Sequence, residues 1–193
     1  LERIYNQTKF SDLPIDKIIV GREYVLFYSI NDKMIYFMSN DLGNNFQFLG
    51  YIKTQFPIVE VCLYEDENSN NSEVVVLVDK LILSYKIISF IKDLGKVTDV
   101  KANKDTDIFT NLEITYEVRA RKIDSDLNKL FVSKNAHNVW LIGSDKYFRQ
   151  YELPKDLYDT IKDDKKKVED PIQEIKGHNL KVTCGVYVNN YLI

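Results

Sequence analysis

The side chains able to do chemistry are few and scattered. There are two histidines, His137 and His178, and two cysteines, Cys62 and Cys184. A structural zinc site needs four nitrogen or sulfur ligands in register, and these four residues share no such spacing. The cysteines form neither a disulfide framework nor a zinc pattern. Each lies in an apolar run, so both are read as buried, reduced thiols. Ser144 sits in Gly-Ser-Asp rather than in the G-x-S-x-G of a nucleophile elbow. No phosphate loop or dinucleotide fingerprint occurs. Carboxylates such as Asp66, Asp105, Asp107, Asp163 and Asp164 fall in turn-forming stretches. A tuned acid–base pair needs burial or a neighbouring charge, and nothing in the sequence creates one there. No catalytic residue, metal or cofactor is expected.

One basic cluster stands out, RARK at 119–122. Alternate strand residues share a face, so Arg119 and Arg121 form a small candidate binding patch. The chain as a whole is acidic, with net charge −3, whereas nucleic-acid binders usually show a basic face or a high pI. Contact with nucleic acid is therefore expected only indirectly or through that patch. No stretch approaches the roughly 18 consecutive apolar residues of a membrane span, and no secretory signal is visible. Two sequons, at Asn6 and Asn70, need a secreted chain before they mean anything.

Strands must position these residues. Aromatics make up 12%, with 13 Tyr and 10 Phe among many Ile and Val, and such side chains pack well on a pleated surface. After a mixed lead-in (1–16), KIIVGREYVLFYS (17–29) reads as one long strand. KMIYFMSN (33–40) and FQFLGYIKT (46–54) follow across short turns, giving a three-stranded meander. A second unit runs FPIVEVCLYED (56–66), EVVVLVD (73–79), KLILSYKI (80–87) and ISFIKDLGK (88–96). Its EVVVLVD strand has no polar interruption and is expected to be covered on both faces. A third unit opens at 97, with LEITYEVRARKI first, then NKLFVSKNA (128–136), HNVWLIGSD (137–145) and KYFRQYELP (146–154). The charged stretch 155–170 reads as an inter-blade loop or insert, and its Lys165–Lys167 run is too short for a localisation signal.

Four short strands per unit is the rhythm of a β-propeller blade. The C-terminal stretch adds a family likeness. Gly177-His178, then Val182 and the apolar run GVYV, with Asn189-Asn190 as a turn before YLI, resembles the start of a WD repeat. No Trp-Asp dipeptide is present, and Trp140 is followed by Leu141. The fold class expected is all-β, with consecutive four-stranded antiparallel blades forming part of a WD40-like β-propeller. Residues 1–193 then hold about three blades plus the start of another, and more blades are expected from the same chain or another one. The resemblance implies a non-catalytic scaffold, binding other protein subunits of a complex inside the cell, nuclear or cytoplasmic. Its binding loops would be 30–32, 67–72, 103–107 and 155–170.

A second likeness points elsewhere. SNDLGNNF (39–46) resembles the Asp box of sialidases and sortilin-like receptors, with Ser39, Asp41, Gly43 and Phe46 in the motif positions. There the box is a structural turn. It would make the chain a lumenal or extracellular propeller that binds peptide or glycan. An accessory subunit of an RNA-modification or ribosome-assembly complex is a further alternative.

Overall fold

The structure, a computed structural model, describes residues 15–40, 48–65, 72–90, 114–123, 127–132, 138–155, 168–177, 187–188 and 191–192. The described residues are all-β, with no helix. Three four-stranded antiparallel sheets follow one another along the chain. The first holds β1 (Lys17–Val20), β2 (Tyr24–Tyr28), β3 (Met34–Ser39) and β4 (Phe48–Lys53). The second holds β5 (Ile58–Glu65), β6 (Ser72–Val78), β7 (Leu81–Phe90) and β8 (Ile114–Lys122). The third holds β9 (Leu127–Val132), β10 (Asn138–Gly143), β11 (Tyr147–Glu152) and β12 (Gln173–Lys176). Within each sheet every strand pairs with its sequence neighbour. A last pair, β13 (Tyr187–Val188) and β14 (Tyr191–Leu192), flanks the Asn-Asn turn expected at 189–190.

Several boundaries differ from the sequence reading. The run 17–29 is two strands, not one. The chain reverses at Gly21–Glu23, where Gly21 N–H donates to Tyr24 O at 2.8 Å, so the first unit has four strands. The runs 80–87 and 88–96 supply a single strand, β7, which passes through a bulge between Ile87 and Ser89. A bulge shifts the side-chain alternation by one, and that shift imitates a strand break. The stretch LEITYEVRARKI is therefore the fourth strand of the second sheet rather than the opening of a third. It follows that β9, from NKLFVSKNA, is the first strand of the third sheet, and KYFRQYELP gives its third. The fourth is β12, so Ile175 and Lys176 belong to the third sheet.

The sheets stack face to face, with the second in the middle. One core cluster joins Leu26, Ile35, Phe37 and Ile52 of the first sheet to Ile58, Val74, Val76, Val78 and Leu83 of the second. The other joins Val75, Leu77 and Ile82 of the second sheet to Leu130, Val139, Leu141 and Tyr151 of the third. Thus β6 sends alternate residues into two cores, and Val74 to Val78 are all 0% exposed. This double coverage is what the uninterrupted EVVVLVD predicted. Each such side chain contributes about 1.5–3 kcal/mol by burial. Among the described residues no helix is long and apolar enough to cross a membrane.

Candidate functional site

The RARK arginines are tied to carboxylates of this chain. Arg119 Nε donates to Glu117 Oε1 at 2.7 Å. Arg121 is 9% exposed and pairs with Glu169, just before β12. Its Nε is buried without a hydrogen-bond partner among the described residues. The two arginines lie on one face of β8, as the alternation predicts, and the nearer charges are their own acids. Ser39 ends β3 half-buried. Asp41, Gly43, Phe46, His137, His178 and Cys184 lie outside the described residues, as do loop residues 67–71, 103–107 and 156–167 and the loop carboxylates singled out above. Among the described residues no group of His, Cys, Asp and Glu is placed to hold a metal.

A polar bridge links all three sheets through β2, β5 and β9. Tyr28 OH on β2 donates to Glu60 Oε1 on β5 at 2.6 Å. Lys129 Nζ on β9 donates to Glu60 Oε2 at 2.7 Å. Glu60 sits where β5 shifts register against β6, and the bulge turns its side chain toward both neighbours. Burial, followed by the hydrogen bond to Glu60, pushes the Tyr28 phenol well above its ordinary range. The phenol therefore stays protonated and donates. Close by, the Cys62 thiol donates to Leu130 O at 3.1 Å. Burial first, and the Glu60 charge second, push it up to about 12. A thiol held protonated at neutral pH is not a nucleophile. The bridge joins a carboxylate to one ammonium and one phenol donor and braces the stack.

The same contacts fix how the sheets align. Glu60 and Lys129 are each the third residue of a first strand, so β5 and β9 start at the same end of the stack. Asn31 N–H donates to Ile58 O, and Ile58 N–H to Asp32 O, at 2.8 and 2.7 Å. That places the β2–β3 turn at the start of β5. One end of the stack therefore carries the β2–β3, β6–β7 and β10–β11 turns.

At that end a small motif recurs in every sheet. Each turn contains Asp-Lys: Asp32-Lys33, Asp79-Lys80 and Asp145-Lys146. Each includes a non-glycine residue with positive φ, namely Asn31 (67°), Asp79 (38°) and Lys146 (70°). Each fourth strand ends on a lysine, paired with the residue after the dipeptide: Lys53 with Met34, Lys122 with Leu81, Lys176 with Tyr147. The next residue closes the clasp by donating its N–H to the turn lysine's carbonyl. Those bonds are Thr54 to Lys33 at 2.8 Å, Ile123 to Lys80 at 3.0 Å and Gly177 to Lys146 at 2.8 Å. Gly177, half of the Gly-His pair, is thus the closing residue of the third clasp. A methyl there would sit 2.4 Å from Phe148 Cε2 and 2.5 Å from the Lys146 carbonyl oxygen. Sequence reasoning missed this motif. Its signal is Asp-Lys between two apolar runs, but the turns are unevenly spaced, and Asp16-Lys17 and Asp164-Lys165 repeat the dipeptide elsewhere.

Each end also has a cavity. Beside the middle clasp, an open cleft of about 250 Å³ is lined by Phe56, Leu81, Ile123 and Val168, with Asp79, Lys80 and Lys122. At the opposite end, about 360 Å³ lies between the Gly21–Arg22 turn, the end of β5 and Val132. Glu65 holds that turn in place, accepting from Arg22 N–H at 2.7 Å and Glu23 N–H at 3.0 Å. Asn40 ties the end of β3 to it, its Nδ2 donating to Gly21 O at 2.6 Å. No protein-family model matches this chain, and no curated protein matches it.

Proposed function

We propose that the three sheets are consecutive blades of a β-propeller of the WD-like kind, and that the protein is a non-catalytic scaffold holding other subunits of an intracellular complex. The observation that carries this reading is the face-to-face stacking of sequential four-stranded antiparallel sheets, tied together by the Glu60 bridge from β2 through β5 to β9. Radial repetition of such sheets is how propellers are built. Sheets packed this way form a rigid frame, and rigid frames display binding loops. Propellers close with about four to eight blades, so under this reading further blades complete the ring, from the same protein or another. The described buried polar groups support a structural role. The Glu60 bridge and the Arg121 and Arg149 pairs each match charges within the chain.

The test is purification of the protein from its native cells, a high-salt wash, and mass spectrometry of what stays bound. A fixed, stoichiometric set of partners is expected. Recovery of the protein alone, with glycans on Asn6 or Asn70, would overturn the reading in favour of a lumenal receptor. Copurified RNA with salt-sensitive affinity would overturn it in favour of an RNA-associated subunit.

A further inference from the structure

We draw no further inference here: the strongest candidate, the apolar patch that Ile18 and Val20 of β1 leave exposed at the edge of the first sheet, carries nothing because nothing in the structure shows what covers it.

Discussion

Tyr28, Glu60 and Lys129 show what a single carboxylate does when three sheets converge on it. Glu60 is almost buried, and both its oxygens are used. Tyr28→Phe removes one donor from a buried acceptor, and a loss of about 1–3 kcal/mol is expected, read from urea unfolding. The same loss in a variant already carrying Glu60→Gln should be smaller, since a neutral amide oxygen accepts more weakly than a carboxylate. The bridge also sets a pH limit. Tyr28 and Cys62 both hold their protons more tightly when folded than at their ordinary values of 10.0 and 9.0. Between the unfolded and folded values the unfolded chain binds fewer protons. Stability from these groups is therefore complete below pH 9 and falls as pH rises through the folded values. Melting temperature against pH should be flat near neutrality and decline above pH 9, and Cys62→Ala should remove the early part of that decline. A wild-type curve still flat at pH 11 would show that these groups are not buried as described.

Turns and strand ends decide the elements. In each sheet the second and third strands meet at an Asp-Lys turn, and the residue after the fourth strand bonds back to it. At the third clasp that residue has to be small, because Phe148 and the Lys146 carbonyl fill the space a Cβ would take. Gly177→Ala should cost about 1–3 kcal/mol through overpacking. Amide exchange should quicken at Gly177, where the clasp bond opens, and not at the corresponding Thr54 and Ile123. Uniform exchange across all three would mean the third clasp accommodates the methyl. The alternation of apolar residues made the strands legible, and the unbroken EVVVLVD gave away the middle strand. Strand boundaries were less legible where a turn or bulge left the apolar pattern running. Gly-Arg-Glu at 21–23 sits between two apolar stretches and reads as a polar interlude in one strand. The bulge at Ile87–Ser89 did the reverse, making one strand look like two.

At the scale of the molecule, the middle sheet makes the stack cooperative. Its β6 belongs to two cores at once, and Glu60 reaches both neighbouring sheets. Trp140, the single tryptophan, lies in the third sheet and is 6% exposed. Its fluorescence should therefore change with the same urea midpoint as far-ultraviolet circular dichroism, which reports on all three sheets. A separate, earlier fluorescence transition would show that the third sheet unfolds by itself.

The sequence by itself determined that the chain is all-β, that its strands come in successive antiparallel groups, and that one strand is covered on both faces. Those are local properties, written in alternation, turn residues and composition. Only the tertiary structure decided which strands form each sheet, because pairing across the gap from β7 to β8 depends on contacts far apart in sequence. It also decided the fate of the charges. Arg119 and Arg121 share one strand face in the sequence, but only the tertiary structure sets Glu169 beside Arg121, while the lysines that gather into clasps lie too far apart in the chain to read as a cluster. Burial and charge pairing arise between elements, and no single stretch of sequence contains both partners.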